Sequence, residues 1–498
     1  MSSFPTAIYN YIDTHQRDYV DRLTQAVAIP SVSADTTPAG RQQVIDMSNF
    51  MLQQLKALKV NAQQVDLGPQ SGTTVNLPPL VIGTLGTDPK KKTVLIYGHF
   101  DVQPAQKSDG WSTDPFTLTK VPDGKGGIKM VGRGSTDDKG PILGWVNCIE
   151  AYQQSGVDIP VNLKFLFEGM EEQSSDGLND YIRQEANGYF KGVNYVTICD
   201  NYWLNNTTPV LTYGLRGIAM YRIDVNGAPM NLHSGIYGGM IFEPMSDLIA
   251  ILASLVNNQA QILIPSVNNL VPEPTAQEIK LYEAIDYSVQ DLNEATQADV
   301  GLSSDKVTLL MGRMRFPTLT IHEITNGSPP SDPNVSASTV IPHAVSAKFS
   351  MRLVPDQSPD VITGLLREFI ACEFKKLNTK NTYNFVPLGE TARPWVASFD
   401  GPSYRAADDA TYAVYGIRPN YDREGGSIGV AITLADAFGN DNVLLLPMGR
   451  GDDNPHAPNE KLDESNYFNG VKVMATYLWN LAKETSGTST ATTTAYPK

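Results

Sequence analysis

The spacing of hydrophobic and polar positions changes character several times along this chain. Up to about residue 60 the apolar residues fall at helical intervals: Ile8 and Ile12, then Val20, Leu23 and Val27, then Phe50, Leu52 and Leu55, with a break at Pro30. From about residue 80 short apolar runs alternate with helical stretches: VLIYG at 94–98, a helix from Pro141, VNLKFLF at 161–167 and VNYVTIC at 193–199. Short, nearly continuous apolar strands separated by helices mark a buried, mostly parallel sheet. The pattern predicts an α/β domain.

After Val210 the texture changes. Gly217 to Val225 alternates as a half-buried strand of a different sheet does, and a helix follows with Leu248, Ile251, Leu252 and Leu255 on one face. Thr275 and Glu278 have capping-box spacing at the start of another helix. Val345 to Leu353 reads as a strand, and Val361, Leu365 and Phe369 as a helix behind Ser358-Pro359. Beyond Pro394 the first texture returns, with NVLLLP at 442–447 as a strand and Val471, Met474, Leu478 and Leu481 on a last helix. The simplest architecture is one α/β domain, residues 1–212 and 389–484, with an α+β module inserted at 213–388. The Ser/Thr-rich segment 485–498 has no apolar period and is expected to be a disordered tail.

Composition narrows the functions. The 498 residues carry a net charge of -15 without a long basic run, which argues against nucleic acid as a partner. The opening residues lack a basic start followed by an apolar run, and no stretch approaches the roughly 18 apolar residues of a membrane helix. Three cysteines, Cys148, Cys199 and Cys372, fit reduced thiols better than a disulfide framework. A cytoplasmic protein without a membrane partner is expected.

Candidate chemistry gathers at the expected strand ends, where open α/β sheets place their sites. His99 and Asp101 follow VLIYG, two apart and so on one face of an extended segment. A metal-bound imidazole usually donates its other N–H to a carboxylate, and His-x-Asp suits that pairing. Alone, it also reads as a hydrogen-bonded strand-end histidine. Asp137 and Asp138 sit in a glycine-rich loop before the next helix, where acids also serve as ordinary caps. Glu168, Glu171 and Glu172 follow VNLKFLF, Asp200 follows VNYVTIC, and His456 follows NVLLLP. Carboxylates crowded together raise one another's pKa and oppose folding, and a divalent cation relieves that cost. With six histidines in the whole chain, two at strand ends carry information.

The phrases GHFDVQP, GRGSTDDKGP, EGMEEQSSDGL, CDNYWL, LHSGIYGG, FSMRLVP and REGGSIG, spread over about residues 10 to 483, resemble the co-catalytic metallopeptidases. That family is typified by cytosolic non-specific dipeptidase, carnosinase and the fungal Cys-Gly metallodipeptidase. The resemblance implies two divalent ions, Zn²⁺ or Mn²⁺, held by His99, Asp137, Glu172, Asp200 and His456, with Asp137 bridging. It implies that Asp101 orients His99 and that Glu171 is the general base for a water shared by the ions. It further implies a lid that dimerises, His233 reaching in from a partner subunit to stabilise the oxyanion, and Arg352, Ser427 and Thr339 as contacts to a small peptide substrate.

One departure bears on substrate choice. Mammalian relatives place a substrate-facing histidine where this chain has Glu390, and an acid there does not assist a substrate carboxylate. The expected activity is hydrolysis of dipeptides, Cys-Gly or a broad set, in the setting of glutathione degradation. A carboxypeptidase or an N-acyl-amino-acid deacylase with the same site chemistry is the alternative, and a non-catalytic binding protein a third.

Overall fold

A computed structural model describes residues 3–326 and 339–484; the expected tail 485–498 lies outside the described residues. The chain opens with helices Thr6–Thr14, Gln16–Val27 and Pro38–Ala57, which bury Ile8, Ile12, Val20, Leu23, Val27 and Leu55. Phe50 and Leu52 lie only half-buried, beside a stripe of Val44, Met47 and Met51.

A nine-stranded sheet organises the larger core. Its middle is parallel: Asn162–Glu168, Thr93–His99, Tyr195–Ile198 and Val443–Leu445 lie side by side in that order. Antiparallel strands flank it, Asn61–Val65 and Leu80–Leu85 on one side, Val210–Leu215 and Trp395–Val396 on the other. Val94, Leu95, Ile96 and Tyr97 are fully buried, as expected of a strand covered on both faces. The helix Lys139–Gln154, which begins at Lys139 rather than Pro141, packs against the last helix, Glu464–Lys483. In register, His99 pairs with Glu168, Tyr97 with Ile198 and Ile198 with Leu445. The C-terminal ends of these four strands therefore open onto one edge.

The loop carrying Asp137 has another origin. It leaves Ile128–Val131, the middle strand of a separate three-stranded antiparallel sheet with Thr119–Pro122 and Lys461–Asp463. The Asp137 loop is therefore not, as the sequence pattern implies, one more end of the parallel sheet. Its partner strand is remote in sequence, and no local period reports such a pairing.

A second core surrounds the antiparallel sheet Thr318–Thr325, Ala344–Leu353, Gly217–Asn226 and Thr382–Ala392, in that order. Gly217–Asn226 alternates buried with half-buried positions, as its sequence implies. Helices Pro244–Leu255 and Pro359–Lys376 contribute to this core. The second helix presents a different stripe from the one expected: Ile362, Leu366 and Ile370 are buried, Leu365 and Phe369 flank them, and Val361 is 48% exposed. Adjacent rows of a helix are both apolar here, and periodicity alone cannot choose between rows about 100° apart. The capping box at Thr275 is half formed. Thr275 Oγ1 accepts the Glu278 N–H at 3.1 Å, but the Glu278 carboxylate is buried and takes Arg315 Nε at 2.7 Å. A buried charged pair there outweighs an exposed cap.

Candidate metal centre

Glycine shapes the loop that delivers Asp137. Gly134 has φ +83°, which side chains rarely adopt, and a Cβ on Gly140 would lie 2.1 Å from the Ser135 carbonyl oxygen. The turn swings Asp137 toward the edge where His99 ends its strand. His99 Nε2 lies 3.1 Å from Asp137 Oδ1 and 3.8 Å from Asp200 Oδ2. His456 Nε2 lies 3.0 Å from Asp137 Oδ2 and 3.2 Å from Glu172 Oε2. The two oxygens of Asp137 thus face two different imidazoles. Donor atoms of His99, Glu171 and Asp200 form one group and those of Asp137, Glu172 and His456 a second, each within 4.8 Å. Glu171 thus stands beside His99 and Asp200 in the first group.

Behind these donors stand groups that orient them. His99 Nδ1 is 3.1 Å from the Asp101 carbonyl oxygen and 3.4 Å from its Oδ1. The Asp101 carboxylate also accepts the backbone N–H groups of Glu171 at 3.2 Å and Glu172 at 3.1 Å, so one side chain aligns both strand ends. Gln103 grips both oxygens of Glu172, through its backbone N–H at 3.1 Å and its Nε2 at 2.8 Å. Asp138 Oδ2 accepts the His99 N–H at 3.2 Å. Gln103 and Glu460, which is buried beneath the Asp137 loop, were not singled out by residue type. The signals available were their places in the HFDVQ and HAPNE runs that carry His99 and His456. A third acidic group, Asp452, Asp453 and Asp463, converges on Lys461 Nζ and is an ion-pair knot.

The electrostatics describe carboxylates crowded around two imidazoles. Burial, then Asp200, pushes the Glu171 carboxyl well above the ordinary range, and burial does the same to Asp138. Hydrogen bonds to Asp137 and Glu172 raise His456 to about 11. Burial works against a charged His99, yet its bonds to Asp101, Asp137 and Asp200 raise it well above the imidazole value. Burial likewise opposes ionisation of Asp137, but the two imidazoles hold it below the carboxylate range. A divalent cation would compensate the negative charge crowded here, and its binding would compete with protonation of the histidines. Two imidazoles, neighbouring carboxylates and one carboxylate set between the imidazoles fit a pair of divalent ions.

The remaining site residues fall into two further groups. Arg352 Nη1 donates to Ser427 Oγ at 3.0 Å, and Ser427 donates to the Arg216 carbonyl oxygen. His233 pairs with Val340 in a short ladder, and the Ser234 N–H donates to Thr339 O at 2.9 Å, which brings His233 and Thr339 together. His233 Nδ1 accepts the Gly235 N–H at 3.0 Å, so its neutral ring carries the proton on Nε2. No hydrogen bond or ion pair among the described residues ties His233 or Thr339 to the two donor groups. Glu390 lies in the strand Thr382–Ala392 near a register shift; its side chain is outside the described residues.

A parallel-centred α/β fold with two groups of His/carboxylate donors gathered at one edge suits a metal-dependent hydrolase. Residues 95–480 match peptidase family M20/M25/M40, and the chain belongs to that family. It is 47% identical over 477 residues to the Cys-Gly metallodipeptidase of Schizosaccharomyces pombe, covering 95% of this chain and 98% of that one. The solved structure of the di-peptidase Dug1p from Saccharomyces cerevisiae superposes with a TM-score of 0.85 at 44% identity, over 96% of this chain and 98% of that one. Human carnosine dipeptidase 1 gives 0.86 at 36% identity, over 97% of this chain and all (100%) of that one. No helix among the described residues is long and apolar enough to cross a membrane.

Proposed function

We propose that this chain is a homodimeric dipeptidase that acts in the cytoplasm on Cys-Gly or a broad set of dipeptides. The observation that carries the reading is Asp137 set between His99 and His456, with Glu171 beside His99. In this reading His99, Asp137 and Asp200 would hold one divalent ion, and Asp137, Glu172 and His456 a second. His/carboxylate donors admit Zn²⁺ or Mn²⁺. Two divalent ions, when bound, polarise the scissile carbonyl and lower the pKa of water.

The chain's own residues do the rest. Asp101 fixes the His99 ring, and Gln103 fixes the Glu172 carboxylate. Glu171 takes a proton from the attacking water and passes it to the leaving amine. Arg352, braced by Ser427, holds the substrate's terminal carboxylate through its planar fork. Thr339 is a further lid contact, and Glu390 takes part in substrate selection.

The inserted segment 213–388 serves as lid and dimerisation domain. Around His233 the surface is apolar and exposed, with Ile236, Met240 (76% exposed), Phe242 and Val340. Such a patch suits a partner subunit, and His233 Nε2–H would then point from the lid of one subunit into the centre of the other. The free thiols Cys148, Cys199 and Cys372 agree with a reducing compartment.

Chelation tests the reading. Protein stripped of divalent metal is expected to lose dipeptide hydrolysis and to regain it on addition of Zn²⁺ or Mn²⁺. Full turnover by metal-free protein would exclude it.

A further inference from the structure

His456 sits on a loop, 58% exposed by its side chain, with φ 60°. A non-glycine residue in that left-handed region persists where its surroundings over-determine it. Asp137, which it meets at 3.0 Å, sits on a different loop more than 300 residues earlier. Something must hold the two loops at that spacing.

Glu460, fully buried, joins them. Its Oε1 accepts the backbone N–H groups of Gly134, Thr136 and Asp137 at 3.0, 3.1 and 3.1 Å. Its Oε2 accepts Arg133 Nη1 at 2.7 Å, and its backbone oxygen accepts the Gly132 N–H at 2.9 Å. A concave run of backbone N–H groups is an anion-binding nest, and here the anion is a carboxylate from the His456 loop. Arg133, also buried, lies over the Trp111 ring at 5.3 Å, which keeps the counter-charge in place. A second tie runs alongside: Thr136 Oγ1 donates to Asp453 Oδ2 at 2.9 Å.

We propose that the Glu460 carboxylate, with the Thr136–Asp453 bond beside it, is a positioning device that sets the Asp137–His456 spacing and so the divalent-ion affinity of that donor pair. It rests on the reading of the cluster as a metal centre. Glu460 touches no donor side chain; it acts through the backbone of Asp137 and the path of the His456 loop. Glu460→Gln keeps the length and an acceptor oxygen for the nest but faces Arg133 with a neutral amide.

The test is calorimetric titration of chelator-stripped protein with Zn²⁺ alone, beside the melting temperature and the kinetics at saturating metal. Glu460→Gln is expected to bind one of two ions about 10–100-fold more weakly, the usual weight of an orienting partner. The KM for a dipeptide stays the same, and kcat largely returns as metal is raised. A lowered melting temperature with unchanged ion affinity means a merely structural role and overturns the proposal. Wild-type protein that binds no ion overturns the metal-centre reading itself, a distinguishable result. Should Glu460→Gln fail to fold, Thr136→Val decides, because it removes the second tie while the buried Asp453 carboxylate keeps the Arg450 N–H at 3.0 Å and Lys461 Nζ at 2.6 Å. About fivefold weaker binding, the weight of one hydrogen bond, is then expected, and no change contradicts the proposal.

Discussion

Glu171→Gln is expected to fold, to bind divalent metal with wild-type stoichiometry and to turn over dipeptides about 10²–10⁴-fold more slowly. The amide fills the same space and cannot accept the water's proton. The Glu171 backbone N–H keeps its bond to Asp101, so the turn that carries Glu172 stays in place. Removing a half-buried carboxyl whose ionisation is opposed by desolvation and by Asp200 leaves the folded state no worse off electrostatically. Metal content by elemental analysis and kcat on one preparation settle the role of the residue. Glu171 also groups with His99 and Asp200 as a possible third donor. A variant that loses an ion together with its activity would make it a ligand, and unchanged activity would remove it from the mechanism.

Co-expression of His233→Ala with Glu171→Gln should restore activity that neither variant has alone. If His233 acts across a dimer interface, the mixed dimer holds one complete centre: Glu171 from the first variant and His233 from the second. Random pairing in a symmetric dimer predicts roughly a quarter of wild-type turnover. If His233 serves its own subunit, every centre in the mixture lacks one group and the activity stays at background. The single-chain geometry motivates the experiment: the His233 Nε2–H is directed away from its own bond to Gly235, on a surface with exposed Ile236 and Met240.

How much of this was legible in the sequence depended on the range of the interactions involved. The strand Gly217–Asn226 declared itself because alternation is local, and the residues at the ends of Thr93–His99 and Asn162–Glu168 because apolar runs stop where the chain meets solvent or chemistry. His99 and His456 stood out for their scarcity and position; their convergence on one carboxylate did not, since no spacing reports that Asp137 presents an oxygen to each. The origin of the Asp137 loop was misread because Ile128–Val131 pairs with Lys461–Asp463, far along the chain. The stripe on Pro359–Lys376 was misread by one row, because Val361, Leu365 and Phe369 are as apolar as the residues beside them. Gln103 and Glu460 passed unnoticed for a different reason. Their work is done by hydrogen bonds to groups 69 and 323–326 residues away, and residue type alone does not announce such partners.

The most direct test of the central claim is cleavage of a panel by purified, metal-reconstituted protein: Cys-Gly, Ala-Gly, carnosine, their N-acetylated forms and a tripeptide. The account predicts hydrolysis confined to dipeptides with a free amine, with Cys-Gly among those cleaved and the choice among the others reporting on Glu390. Cleavage of the acetylated dipeptides or of the tripeptide at comparable rates would contradict a dipeptidase and make the protein a deacylase or carboxypeptidase with the same metal centre.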